Sequence, residues 1–340
     1  MKKSILAAAV VCFVVRPYSA WADSVVESYV ISGGFRGNGA YEGTTVMKIK
    51  GEKLSEAMSV KFNDAVLTWA AGGTDQTTIT RVDKGVVWVV EQKKRLYTEM
   101  PIGRLKPEDL SRQKEVAKAE KSGMKVVKSE FKVKKTGMRE TINSFSCEEY
   151  RMTWLLELED SRTKARTKNI MTTEIWTTPE TGTIKKIRAD QAAFAKAYMK
   201  RAGMDMSHDE MRRYGMDVLS MASGASVKDM EKEFTVFRKE LSKIKGYPIR
   251  TVISWMMGGD AAQAQKNKGS SGDDEALALA GGLGGMISGL VGQKVKESVS
   301  ADQNSPFFSS TVEVRSLSAD ALPASVFEIP EGFDKKAEKD

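Results

Sequence analysis

Between residues 146 and 158 apolar and polar side chains alternate. Tyr150, Met152, Trp154, Leu156 and Leu158 fall on one side, and Glu149, Arg151, Thr153 and Glu157 on the other, with Leu155 as the interruption. A period of two is the repeat of a pleated strand, so this run predicts a strand half buried against a core. The same reading gives strands at 44–50, 58–62, 77–82, 86–91, 95–100, 124–135, 138–142, 170–178, 247–257, 307–317 and 325–329. Turn-rich separators at 83–85 and 92–94 make 77–100 a three-strand antiparallel meander, and Asn143-Ser144-Phe145 a further turn. In 247–257, Ile249, Thr251, Ile253, Trp255 and Met257 share one side. Residues 107–121 are polar and read as a surface connection.

After residue 190 the period changes. The stretch 191–244 is helical by propensity, and Ser207 with Glu210 and Ser226 with Asp229 form two capping boxes. A second interruption, rich in glycine and alanine, fills about 258–297. Strands before and after the helical block predict one sheet with a helical insertion at about 188–244, rather than two independent domains.

The first residues read differently again. Lys2 and Lys3, an apolar run over 5–15 and the small residues Ala20 and Ala22 around Trp21 make a secretory leader, with cleavage expected after Ala22. Eleven apolar residues fall short of the roughly 20 that cross a bilayer as a helix. The expected mature domain is therefore 23–340, placed in the periplasm and without a transmembrane span.

Composition removes whole classes of chemistry. A single histidine, His208, and two cysteines, Cys12 and Cys147, cannot furnish a Cys/His zinc site, a CxxC pair or a disulfide framework. The formal charge of +8 falls by three when Lys2, Lys3 and Arg16 leave with the leader. Basic residues such as Lys132, Lys134 and Lys135 read as the solvated face of a strand, and without interleaved aromatics they argue against nucleic acid. Glu148 and Glu149 are neighbours in a strand and point to opposite faces, so they cannot converge on one reacting atom. Asp273, Asp274 and Glu275 have no visible partner ligands. His208, in a polar first turn, reads as a solvated surface residue, and Cys147 as a buried one. No catalytic residue, metal site or cofactor follows, and the expectation is a non-enzymatic protein.

Five short segments carry a resemblance: RLYTEMP at 95–101, TINSFSCEEYRM at 141–152, EIWTTPE at 174–180, KGYPIRT at 245–251 and VFEIPEGFDK at 326–335. In this order and spacing they resemble a bacterial exported family, the domain of unknown function 4412 family. That family is in turn similar to the lipoprotein-carrier (LolA/LolB-like) superfamily. The resemblance spans 44–335 and implies an α+β fold, a strongly curved antiparallel sheet or half-barrel wrapped round a helical insertion. It also implies an apolar concavity able to hold acyl chains, and no catalytic residue. The long methionine-rich helical segment and the Gly/Ala insertion depart from the family pattern.

On this reading Val86, Trp88, Val90, Tyr150, Met152, Trp154, Ile253, Trp255 and Met257 line the concave face as a ligand-binding surface, or else simply form the core between sheet and helices. Met211, Tyr214, Val218 and Met221 recur at helical spacing, as a lid over that face or as ordinary core. Gly281, Gly285 and Gly289 lie four apart, so they line one side of a helix that another backbone could approach closely. The uncharged segment around them is open to three readings: a packed helix, a membrane-dipping lid or a disordered loop. The leading expectation is an envelope protein that shields a lipid acyl chain or a lipoprotein's lipid. The alternative is an envelope interaction or sensor module with a filled core.

Overall fold

The computed structural model describes residues 23–35, 37, 39–64, 75–103, 124–161, 163–203, 235–259 and 306–336. Among the described residues twelve strands form one sheet: β1 Ser24–Phe35, β2 Tyr41–Lys50, β3 Lys53–Phe62, β4 Gln76–Arg81, β5 Val86–Glu91, β6 Leu96–Pro101, β7 Met124–Ile142, β8 Phe145–Asp160, β9 Arg166–Thr178, β10 Tyr247–Gly259, β11 Phe308–Ser318 and β12 Asp334–Lys335. Their spatial order is β12-β6-β5-β4-β3-β2-β1-β11-β10-β9-β8-β7. Every pairing is antiparallel except the short parallel β12–β6 contact, so the sheet is mixed and open. Among the described residues two helices accompany it, α1 at Gly182–Arg201 and α2 at 235–241. Chain order is followed from β1 to β6 and again from β7 to β11, so two meanders meet at a single β1–β11 seam.

The meander over β4–β6 falls where the turn residues put it. Two expected strands at 124–135 and 138–142 are one continuous β7. The break between them is a bulge between Lys135 and Arg139, with Gly137 at φ 87° supplying the conformation that other residues avoid. β7 and β8 are joined by Asn143-Ser144, both left-handed at φ 47° and 72°. That two-residue loop favours Asn-Gly, because both central positions need positive φ. Asn143 is further fixed by donating to Glu313 Oε1 and the Val314 carbonyl, each at 2.9 Å. Ser144→Gly should therefore raise the unfolding free energy by about 0.5–1 kcal/mol; a lower urea midpoint would contradict it.

Helix α1 begins earlier than expected, at residue 182 rather than about 188. Its cap is the hydroxyl of Thr181, which accepts from the Ile184 amide at 3.3 Å, and its last turn carries Lys200 and Arg201 where the helix dipole favours cations. Ile184 and Ile187 are buried in a cluster with Val26, Ile142, Cys147, Trp176, Tyr247, Ile249 and Val314. A second tie holds the start of β1. The Asp23 carboxylate accepts from Lys50 Nζ at 3.0 Å and from the Leu322 amide at 2.6 Å, and the Ser24 hydroxyl donates to Asp190 of α1.

The expected strand at 325–329 is a correction. Residues Ala324–Phe327 form a 3₁₀ turn, and Phe327, fully buried, sits against Ile79, Trp88 and Val90 on a face of the sheet instead of extending its edge. Arg81 fastens this segment, donating to the Phe327 carbonyl at 3.2 Å and to the Glu328 carboxylate. Its other nitrogens reach Asp83 at 2.7 and 2.8 Å, and Lys84 also meets Glu328 at 3.0 Å. The Arg81 bonds hold the Asp83 carboxyl below the ordinary range. Burial pushes Glu328 upward, but bonds from Lys84 and Arg81 outweigh it and leave that carboxyl low too.

A carboxylate with a depressed folded pKa stabilises fully above its unfolded value, near 4, and loses that contribution as the pH falls through the folded value. Glu328→Gln should therefore flatten the acid limb of the stability curve between about pH 5 and about pH 2. Urea unfolding across that range checks it, and identical limbs would refute it.

Candidate functional site

Residues opposite one another across an antiparallel pair share a face, so the register decides which expected site residues come together. From Tyr150 the pairing runs to Ile175, Thr251, Val312, Val30, Gly43 and Val60. Two residues along β3, Met58 pairs with Gln76, and Gln76 with Glu91. Tyr150, Met152, Trp154, Ile253, Trp255 and Met257 therefore lie on one face, here called the front, and Glu91, Val89 and Val87 lie on it with them. Val86, Trp88 and Val90 face the other way. This corrects the expectation that all nine residues line one surface.

The displaced three are core. Val90 and Trp88 pack with Ile79 and Phe327, and Val86, Leu322, Val326, Ile329 and Phe333 close round them. The Trp88 indole donates to Glu99 Oε2 at 2.8 Å, and Lys84 Nζ stands 5.1 Å from its ring centroid. The C-terminal segment covers this back-face patch.

On the front, Phe131, Trp154, Met171, Trp255 and Phe308 pair in turn, one from each of β7, β8, β9, β10 and β11. Phe131 is buried and the other four are half-buried. Helix α2 covers one end of this row. Phe237 stacks on Phe131, with centroids 3.9 Å apart and planes at 20°, and meets Trp154 edge-on at 5.1 Å. At the other end Trp255 meets Phe307 edge-on at 5.0 Å. Both indoles are tethered within the sheet, Trp154 Nε1 to Ser129 Oγ at 3.4 Å and Trp255 Nε1 to Asn169 Oδ1 at 3.3 Å. Satisfying the N–H groups this way fixes the apolar rings in place. One row along, Met152 and Ile253 flank Thr173, a buried residue whose hydroxyl has no hydrogen-bond partner.

Met171, Phe308 and Phe131 belong to this surface but were not singled out by sequence pattern. The β9 run places Ile170 and Trp176 on the side opposite Met171 and Ile175, so it shows no clean alternation, and only register selects the front set. The lid candidates Met211, Tyr214, Val218 and Met221, the glycines Gly281, Gly285 and Gly289, His208, the acidic run 273–275 and the leader all lie outside the described residues.

Cys147 is a buried free thiol whose Sγ donates to the Phe145 carbonyl at 3.4 Å, and burial pushes its pKa upward, the reverse of what a reactive thiolate needs. Glu148 and Glu149 do diverge. Glu149 is buried and bonded to Thr136 and Arg151, while Glu148 pairs with Lys135 and Arg139. No helix among the described residues is long and apolar enough to cross a membrane.

No protein-family model matches the chain, and no curated protein matches it.

Proposed function

We propose that this chain is an exported, periplasmic envelope protein that binds an apolar chain, such as a lipid acyl chain or the lipid of a lipoprotein, without catalysing a reaction. The observation that carries the reading is the front row. Four large side chains, Trp154, Met171, Trp255 and Phe308, stay only half-buried on adjacent strands while both indole N–H groups are tied down. Rigid rings beside a polarizable thioether suit a flexible hydrocarbon chain. Burial of such a chain contributes about 25 cal/mol per Å², less its ordering cost.

The arrangement of the core supports a sheet that curves about α1. The cluster on Ile184 and Ile187 draws residues from β1, β7, β8, β9, β10 and β11, with Met47 of β2 packed against it. Flat strands about 4.8 Å apart would spread those seven strands over roughly 29 Å. A curved half-barrel brings them to one helix.

The test is mass spectrometry of organic extracts from the mature protein, purified from an envelope fraction without detergent. A stoichiometric lipid absent from a mock preparation is the expected result. Clean extracts, together with no uptake of a fluorescent fatty acid by the purified chain, would remove the reading. They would favour the second one, an envelope interaction module, for which the exposed Val127 and Met138 on edge strand β7 speak.

A further inference from the structure

The back face of β7 and β8 differs in character from the front. Lys132 stands opposite Thr153, and Lys134 opposite Arg151. With Thr136 these four residues line a groove of about 280 Å³. One buried charge stands beside the lining residues. Glu149, 1% exposed, holds Arg151 Nη2 at 3.0 Å and accepts from the Thr136 hydroxyl at 2.5 Å. Arg151 also reaches Glu174 at 3.1 Å, so two carboxylates hold the guanidinium and fix its position. The two lysines have no ion pair among the described residues. They are two residues apart on one strand, so their Cβ atoms lie about 6.7 Å apart on the same side. Both ammonium groups can then reach one anion beside a pre-positioned guanidinium.

We infer that this groove binds a phosphate group, carried by free phosphate or by a lipid headgroup. Tetrahedral phosphate offers several acceptor oxygens to the lysine ammoniums and the Thr153 hydroxyl, and its negative charge meets the net positive charge that Lys132, Lys134 and Arg151 keep against Glu149 and Glu174. Lysines on an edge strand also discourage strand addition by other chains. That role needs neither the opposed arginine nor the groove, and it predicts no saturable ligand.

The experiment compares the full mature chain with Lys132→Gln/Lys134→Gln. Both lysines are exposed, so the variant's circular dichroism and melting temperature should match the parent's. Two probes are titrated at low salt: inorganic phosphate by calorimetry, and phosphatidylcholine vesicles with and without phosphatidic acid by co-sedimentation. Saturable phosphate binding, weakened at least tenfold in the variant, supports the site with free phosphate as its source. Binding only to phosphatidic acid vesicles, lost in the variant, supports it with a lipid headgroup as the source. No binding of either probe, or equal binding by both proteins, overturns it.

Discussion

Truncating Phe327 to alanine should lower the unfolding free energy by about 3–5 kcal/mol, the range for deleting a fully buried aromatic ring. The ring is completely enclosed by Ile79, Trp88 and Val90 and by its own segment's Leu322, Val326 and Ile329. The void is hard to refill from the sheet side, because β4 and β5 are hydrogen-bonded at fixed spacing. The loss should also loosen the Arg81 contact, since the guanidinium donates to the Phe327 carbonyl as well as to Glu328. Urea unfolding measures the effect. A loss below about 1 kcal/mol would mean that the C-terminal segment is not part of the cooperative unit.

Replacing Trp255 with glutamate should cut bound lipid at least tenfold while leaving the sheet folded. Trp255 is half-buried, and its indole N–H is held by Asn169. A carboxylate there removes a ring that can cover on the order of 150 Å² and places charge against a hydrocarbon chain. A tenfold change needs only about 1.4 kcal/mol, well within that area at about 25 cal/mol per Å². The control is Trp88→Phe. It lies on the opposite face under the C-terminal segment, so it should alter stability and leave uptake alone. Lipid per protein by mass spectrometry, with circular dichroism for the fold, reads both. Equal uptake by the parent and Trp255→Glu would remove the front row as the site.

How far such a surface can be read from sequence is shown by β5 and β8. In β8 the alternation from Tyr150 to Leu158 is broken only at Leu155, and its apolar side is the front. In β5, VVWVVE, both sides are apolar, so alternation groups Val86, Trp88 and Val90 without saying which face they take. That face depends on pairings accumulated through β4, β3, β2, β1, β11, β10 and β9, and no local pattern encodes them.

Two other differences have causes that can be named. Thr181 caps α1 with Ile184, not Glu or Gln, at the third helical position, so no capping box announces the start. Residues 325–329 read as a strand because Val326, Phe327 and Ile329 all favour extended backbone, while the burial of Phe327 against Ile79 and its tie to Arg81 come from residues far away in the chain. Strand β1, for which the pattern set no expectation, has serines at 24, 28 and 32 spaced with Val26 and Val30, which dilutes its apolar side.

The β1–β11 seam has a consequence for the order of assembly. β1 to β6 form on neighbouring contacts, and so do β7 to β9, but β1 acquires its second partner only when β11 exists, almost a full chain length later. Closing so long a loop before its contacts repay the lost entropy makes this docking the expected slow step of folding. A chain held short of β11 would keep β1 as a bare edge in the middle of the future sheet. Synthesis alone therefore cannot complete the fold early, and the sheet should stay unfinished until its last strands are made.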